Sequence, residues 1–396
     1  ALSGGYSNGM DPLQNDAAFA VFENGAWENI EIQGSIQDLV DVERRNGQDY
    51  FATIGLGLVS IDSDGAQIIF DEQNSTLEST FVTDGVRVPA LASSDLGLWV
   101  LNYGTSQLNL LSNDQEWQSV NSSSGLAAFA LDIIVVDDLL WLMIDPSAGG
   151  GLVVVDPFTG NSRYLSSASG NGGLASTTVN TLALDKEGLV WAGTNLGVSV
   201  FSNPFSVLTG QVNAIEPIFD NRQLLRDEIV TIIKIDGGNR KWVGTERGLW
   251  LFDDQADTQI RFFNTANSPL PSDLIKDIAI HEKTGEVFIA TDKGIVSYRG
   301  TSTEGGNSHN AVEIFPNPVR QDFTGTVGIS GLVKDALIKI TDVSGQLIWR
   351  TQANGGTATW NIKDYNGNRA ATGVYYIFSA SADGEETFIG KIAVIN

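Results

Sequence analysis

One pattern recurs along the first three hundred residues and restricts the fold more than any other feature. Its clearest copy runs from Val179 to Phe201 and places Asp185, Trp191 and Gly197 at fixed offsets. Equivalent aromatic residues recur 42 to 51 residues apart, at Phe51, Trp99, Trp141, Trp191, Trp242 and Phe288. Self-similarity at such a period indicates an array of small units, none of which can bury its apolar face alone.

Each copy of the repeat reads as a set of short strands. Val179–Leu184 alternates β-branched and apolar residues in period two, which suits a half-buried strand. A turn at Asp185–Gly188 leads to a second strand at Leu189–Gly193, and a third strand follows at Val198–Phe201. A looser fourth strand follows in some copies, as at Gln259–Phe263. Four antiparallel strands in each copy predict a β-propeller blade, with the aromatic residue packed between adjacent blades.

The two ends of the repeat region predict how many blades there are. Residues 18–30 look like the last two strands of a further blade, whereas the last copy lacks an obvious fourth strand after Tyr298. We predict an all-β fold in which residues 1–300 form a seven-bladed propeller with an incomplete N-terminal blade. Six blades are the alternative, with residues 18–30 supplying only a closing strand. The missing strand, and Ala1 in place of Met, suggest a processed or trimmed chain.

Composition changes after the last copy of the repeat. Residues 301–310 are polar and rich in Gly and Ser, which predicts a linker. Residues 311–396 contain short alternating runs separated by turns such as Asp342–Gly345 and Asp364–Gly367. This pattern predicts a small antiparallel β-sandwich of the immunoglobulin-like kind.

Charge is distributed unevenly between the two regions. Residues 1–310 carry 40 acidic and 16 basic side chains, whereas residues 311–396 carry 8 and 7, and the formal net charge of the chain is −25. An acidic surface argues against nucleic acid and against nonspecific binding to anionic membranes, since both require basic surface. Solubility is the simplest role for it.

Residues that could carry chemistry are scarce. The chain has no Cys, and its two histidines, His281 and His309, lie far apart without a nucleophile beside either of them. Asp62–Gly65 resembles part of a calcium loop but lacks the remaining ligands, so it is interpreted as a hairpin turn. No pair of carboxylates stands out by its spacing. We therefore predict no catalytic residue, no metal and no cofactor, and a protein that is not an enzyme.

Basic residues gather in one copy of the repeat. Arg222, Arg226, Arg240, Lys241 and Arg247 lie within one otherwise acidic region. Arginine binds carboxylate and phosphate groups through paired hydrogen bonds, so these five residues are candidate contacts for an anionic ligand. Ordinary ion pairs with neighbouring Asp and Glu are the alternative interpretation.

The C-terminal region carries a series of spaced motifs. Their residues are Pro316, Asn317, Pro318, Asp342, Gly345, Gly373, Val374, Tyr375, Gly390 and Lys391. In this order they resemble the C-terminal sorting domain of proteins exported by the type IX secretion system of Bacteroidetes. The resemblance implies export through the periplasm to the outer membrane or cell surface.

The repeat resembles the two-component-regulator propeller signature, Asp-x-x-Gly-x-x-Trp-x-Gly-Thr-x-x-Gly, and the whole chain resembles the PorZ family. That resemblance implies a non-enzymatic component of the secretion machinery at the cell surface. It implies the sortase PorU and the attachment proteins PorV and PorQ as partners. It also implies that anionic lipopolysaccharide is bound and presented to the sortase. The acidic propeller would direct such a ligand to a local basic patch or to the C-terminal domain.

Two other functions remain open at this point. The chain fits an exported propeller that binds carbohydrate or protein and uses the sorting domain only as an address. It also fits the periplasmic sensor region of a two-component regulator, although the resemblance implies that such sensors continue into a membrane helix and a kinase. Whether the C-terminal domain is an address or a working part is not decided by its motifs.

Overall fold

A computed structural model describes residues 2–3, 10–23, 25–30, 32, 34–79, 85–380 and 386–396. The prediction of an all-β fold is confirmed. Within the described residues, the helical segments are three short 3-10 turns at Gly125–Phe129, Pro146–Ala148 and Pro204–Ser206. The chain divides into two compact units, one of Ala1–Pro217 with Gln223–Val230 and one of Ile218–Arg222 with Thr231–Asn396.

The first unit consists of successive antiparallel sheets. The N-terminal sheet contains β1 (Leu2–Ser3), β2 (Ala18–Glu23) and β3 (Ala26–Ile30). The next contains β4 (Leu39–Arg45), β5 (Gln48–Gly55), β6 (Leu58–Ile61) and β7 (Gln67–Phe70), and β8 (Val86–Arg87) pairs with β5. Two four-stranded meanders follow, β9 (Leu91–Ser94), β10 (Gly97–Val100), β11 (Gln107–Ser112) and β12 (Trp117–Asn121), then β13 (Ala130–Val136), β14 (Leu139–Ile144), β15 (Leu152–Val155) and β16 (Ser162–Leu165).

The best copy of the repeat forms the last sheet of this unit. It contains β18 (Val179–Leu184), β19 (Val190–Thr194) and β20 (Gly197–Phe201), and a bridge from Val200 to Ile215 takes the place of a fourth strand. The short strands β17 (Asn171–Gly172) and β21 (Val212–Asn213) pair in parallel beside it. The three strands predicted within residues 179–201 are therefore confirmed.

The second unit begins with the hairpin of β22 (Ile218–Phe219) and β23 (Arg222–Gln223), whose last residue belongs to the first unit. It continues with the two final copies of the repeat. One is the meander β24 (Val230–Ile235), β25 (Lys241–Thr245), β26 (Gly248–Phe252) and β27 (Gln259–Phe263), and the other contains β28 (Ile275–His281), β29 (Glu286–Thr291) and β30 (Gly294–Arg299).

The repeated residues are explained by two local hydrogen-bond patterns. Asp185 Oδ1 accepts the N–H groups of Glu187 and Leu189 at 2.9 Å, and Oδ2 accepts Trp191 Nε1 at 2.9 Å. In the following turn, Thr194 Oγ1 donates to the Gly197 carbonyl at 3.0 Å. Both patterns recur in the next copy, from Trp242 Nε1 to Asp236 Oδ2 and from Thr245 Oγ1 to the Gly248 carbonyl, each at 3.1 Å. The motif therefore ties each turn to its own anchor tryptophan.

Most of the anchor aromatics lie in the core, as predicted. Phe51, Trp99, Trp141, Trp191 and Trp242 are each at most 3% exposed. Trp141 packs edge-on against Phe201 of the following sheet, with ring centroids 5.1 Å apart. Phe288 is half-buried. The anchors therefore bury apolar surface between neighbouring sheets, which no single sheet can do alone.

The C-terminal domain contains two sheets around one core. One sheet contains β31 (Glu313–Phe315), β32 (Val327–Ser330) and β35 (Ala358–Trp360), and the other contains β33 (Leu337–Thr341), β34 (Leu347–Gln352), β36 (Gly373–Ala380) and β37 (Glu386–Val394) in the order β34-β33-β36-β37. Ile329 and Trp360 from the first sheet pack with Ile340, Ile377 and Ile392 from the second. Residues 311–396 therefore have a hydrophobic core of their own.

Candidate functional site

The first and last motifs of the C-terminal domain meet in space. Asn317 Nδ2 donates to the Lys391 carbonyl at 2.9 Å, and Asn317 Oδ1 accepts the Ala393 N–H at 3.2 Å. Val319 then bridges to the last strand in parallel, since its N–H donates to the Ala393 carbonyl and its carbonyl accepts the Ile395 N–H. The Pro-Asn-Pro segment therefore fastens the start of the domain to its final strand.

The middle motifs hold a turn and a core side chain. Asp342 Oδ1 accepts the N–H groups of Ser344 and Gln346, and it also accepts the Ser344 hydroxyl at 2.6 Å. The hydrogen bond from the Ser344 hydroxyl is the main cause that lowers the pKa of Asp342. Gly345 completes this turn. Tyr375 is 6% exposed, packs edge-on against Trp360 and donates its hydroxyl to the Ala371 carbonyl at 2.7 Å. Burial raises the pKa of Tyr375.

The remaining motif residues lie on the paired strands β36 and β37. Gly373 starts β36, and Val374 beside it is 40% exposed. Gly390 pairs with Ile377 at a bulge, and Lys391 is exposed opposite Tyr376. Most of the sorting motifs therefore have structural roles, whereas Val374 and Lys391 present side chains to solvent.

Two of the five predicted anion contacts are engaged inside the protein. Arg240 is 5% exposed and forms an ion pair with Asp236, with Nη2 2.8 Å from Oδ2. Lys241 is fully buried, and its Nζ donates to the carbonyls of Asn239 and Asp254 at 2.8 and 2.5 Å. An anionic ligand would have to break these bonds to reach either cation.

The other three basic residues are more accessible. Arg222 and Arg247 are exposed. Arg226 forms an ion pair with Glu216, with Nη1 2.8 Å from Oε2. Of the five residues predicted to contact an anionic ligand, Arg222, Arg226 and Arg247 are accessible to such a ligand. The contact itself stays a prediction.

A buried junction in the second unit was not predicted from the sequence. It comprises residues 236–240, 301–304 and 354–357. Ser302 Oγ donates to Asp236 Oδ1 at 3.1 Å and accepts the Gly238 N–H at 2.6 Å. Ser302 Oγ also lies 3.3 Å from the Asn354 carbonyl. A segment predicted as a linker therefore begins as a packed connection between a propeller turn and a turn of the C-terminal domain.

Thr303 completes the junction on the side of the C-terminal domain. Its carbonyl accepts the Gly356 N–H at 2.8 Å, and its hydroxyl shares a buried hydrogen bond of 2.7 Å with Thr357. The turn fits only because residue 237 is glycine, since a Cβ there would lie 2.2 Å from the Thr303 carbonyl carbon and oxygen. Gly237-Gly238, where the previous copy has Lys186-Glu187, was the sequence signal for this contact.

One partly buried carboxylate of the first unit has a raised pKa. Asp41 lies at a bulge in β4, and its two oxygens accept the N–H groups of Leu91 and Val42 at 2.8 Å. Burial raises the pKa of Asp41 to about 7, and the nearby charges of Asp132 and Glu43 add to that effect. The hydrogen bond to Leu91 connects β4 to the next sheet, which is a structural role.

A small cleft in the first unit is lined by acidic side chains. Its volume is about 280 Å³, and its lining includes Asp95, Asp137, Asp138 and Trp99. Such a lining does not suit an anionic ligand. Among the described residues, no cluster of His, Cys, Asp or Glu could hold a metal ion.

Comparison with known proteins defines a class for each region. Residues 313–394 match the family model described as secretion system C-terminal sorting domain, and residues 173–196 match the two component regulator propeller. The chain thus combines β-propeller repeats with a sorting domain, which confirms both resemblances drawn from the motifs. No curated protein matches the chain in a sequence search.

Solved structures give a more particular similarity. The chain is similar to PorZ of Porphyromonas gingivalis, an essential bacterial surface component of the type-IX secretion system, with a TM-score of 0.71 and 24% identity. The match covers all of this chain and 58% of that one. An extracellular domain named as part of a hybrid two component system of B. thetaiotaomicron matches with a TM-score of 0.50 and 16% identity, over 100% of this chain and 53% of that one. These likenesses show a shared fold. No helix among the described residues is long and apolar enough to cross a membrane.

Proposed function

We propose that this protein is a non-enzymatic component of the type IX secretion machinery at the cell surface, and that its C-terminal domain stays attached. It would help the sortase complex of PorU, PorV and PorQ to modify and anchor cargo, with anionic lipopolysaccharide as a ligand. The proposed architecture is a seven-bladed propeller followed by an immunoglobulin-like sandwich. The sorting-domain match and the likeness to PorZ support this proposal.

The buried junction is the observation that carries the proposal. A removable address is expected to follow an exposed, mobile segment where a protease can bind. Here Ser302 and Thr303 are 2% and 8% exposed, and their hydrogen bonds reach both a propeller turn and the C-terminal domain. Cleavage at these residues would expose the Asp236–Arg240 ion pair to water. These contacts support a C-terminal domain that stays attached as a working part of the protein, although residues 304, 306–308 and 310–311 of the same segment are exposed.

Deletion of the gene tests the role in the machinery. Other proteins that carry sorting domains should then accumulate unprocessed or unanchored, and expression of the full chain should restore their anchoring. The measurement is the mass and surface location of several such proteins in the deletion strain. Normal anchoring and modification of all of them would reject the role and leave the exported binding propeller as the better account.

A further inference from the structure

The outer face of the four-stranded sheet in the C-terminal domain carries clustered aromatic side chains. Tyr375 and Ile377 of β36 point into the core, so Tyr376 and Phe378 point outward and are partly exposed. Phe388 on β37 is 53% exposed. Its ring lies edge-on to both neighbours, with centroids 5.9 Å from Tyr376 and 5.7 Å from Phe378. We call these three residues the aromatic face.

Basic side chains flank the aromatic face on both sides. Lys391 pairs with Tyr376 across β36 and β37, and it is exposed. On the opposite side, Lys339 of β33 pairs with Phe378, and Arg350 of β34 pairs with Lys339. Lys339 also forms an ion pair with Glu386. Cations therefore stand at both edges of a patch of three rings.

The size and charge of this patch favour a ligand that contains sugar rings and acidic groups over a large protein interface. Edge-on contacts leave ring faces open, and an open ring face packs against the C–H bonds of a sugar. The flanking ammonium and guanidinium groups suit phosphate or carboxylate groups. A stable protein interface covers about 800 Å² on each partner, which is more than three rings provide. Residues 311–396 also carry 8 acidic and 7 basic side chains, so an anion meets far less repulsion there than along residues 1–310.

We propose that the aromatic face and its flanking cations bind the acidic polysaccharide portion of lipopolysaccharide. The inference rests on the proposed function, because it assigns a place to the anionic ligand named there. It moves that contact away from the propeller, where Arg240 and Lys241 are already engaged. Sugar rings stack on Phe388 and Tyr376, while Lys391 and Arg350 bind acidic groups along the chain of sugars.

Binding measured with the purified full chain tests the assignment. The probes are polysaccharide released by mild acid from the lipopolysaccharide of the producing bacterium, the intact lipopolysaccharide, the lipid portion alone, and neutral dextran. The variants are Phe388→Thr and Lys391→Ala. Phe315→Thr and Lys363→Ala are matched controls, because Phe315 is 78% exposed on the other sheet and Lys363 is an exposed lysine of the same domain.

We expect Phe388→Thr to bind the released polysaccharide about 5- to 100-fold more weakly, as for the loss of one stacking platform. Lys391→Ala should also bind it more weakly, because an acidic group loses its cation, whereas both controls bind like the wild type. Binding should also weaken as salt is raised. Equal binding by all four variants would overturn the assignment and leave the proposed function intact. Wild type that binds the lipid portion but not the released polysaccharide would overturn the assignment alone. Wild type that binds none of the lipopolysaccharide probes would overturn both the assignment and the lipopolysaccharide part of the proposed function. Variants that bind normally but fail to reach the cell surface would show that the export machinery reads this face instead.

Discussion

Two copies of one turn have opposite surroundings in this protein. In both copies an aspartate accepts the N–H groups of its own turn and the indole N–H of its anchor tryptophan. In the first turn the positions of Gly237 and Gly238 are occupied by Lys186 and Glu187, and Glu187 is exposed. The second turn is covered by Ser302, Thr303 and the C-terminal domain. The turn at residues 236–240 therefore contacts the C-terminal domain in addition to closing its own hairpin.

The largest difference should appear when each aspartate is removed. Asp236→Ala would leave Arg240 buried without its carboxylate and would also remove the acceptor of Ser302. We expect a loss of about 3–5 kcal/mol in the free energy of unfolding. Asp185→Ala, which removes a turn acceptor but no ion pair at position i+4, should cost about 1–3 kcal/mol.

Denaturant unfolding of the two variants, followed by tryptophan fluorescence, measures this difference. Equal losses for the two substitutions would mean that the ion pair and the contacts of the junction add nothing to stability. The two turns would then differ in their contacts but not in their contribution to stability.

Asp41 is partly buried and forms no ion pair among the described residues, and its raised pKa should make the stability of the protein depend on pH. The pKa of Asp41 is raised from its ordinary value near 4 to about 7, so the folded protein holds this proton more tightly than the unfolded chain does. The stabilisation is present below about pH 4 and is lost as the pH rises to about 7, by about 2–4 kcal/mol. Asp41→Asn, which keeps an acceptor for Leu91, should flatten this part of the stability profile.

Urea unfolding at four pH values between 4 and 7 checks this expectation. Asp277→Asn serves as a matched control, since Asp277 occupies the equivalent bulge of β28 but is exposed. If the wild type and Asp41→Asn show parallel profiles, the burial of Asp41 does not govern its titration.

The smallest of these effects on the free energy of unfolding is expected at Gly237, which packs against the Thr303 backbone. Gly237→Ala should cost about 1–3 kcal/mol, because the added Cβ overlaps the Thr303 backbone. It should also make residues 301–310 more susceptible to limited proteolysis. Lys186→Ala at the equivalent position of the previous turn should change stability by no more than about 0.5 kcal/mol. Unchanged protease resistance in Gly237→Ala would argue that the segment is held by other contacts.

The sequence predicted the local features of the fold well because their bonds are local. Trp191 reaches Asp185 across six residues, and Thr194 reaches Gly197 across three, so a repeated spacing reveals both contacts. Ser302 lies 66 residues from Asp236 along the chain, and no spacing records such a contact. Composition alone did not reveal that Arg240 and Lys241 are buried, since a charged residue is usually exposed unless a partner lies beside it. Asp236 lies only four residues from Arg240, so that ion pair is local, whereas the Asp254 carbonyl that accepts Lys241 Nζ lies 13 residues away.

The mass of the mature protein recovered from the cell surface tests the central claim most directly. A C-terminal domain held by the buried junction should remain attached, so the intact mass should include every residue to Asn396. A mature chain that ends within residues 301–312 would contradict the account, because the junction would then have been cut and the domain would be only an address.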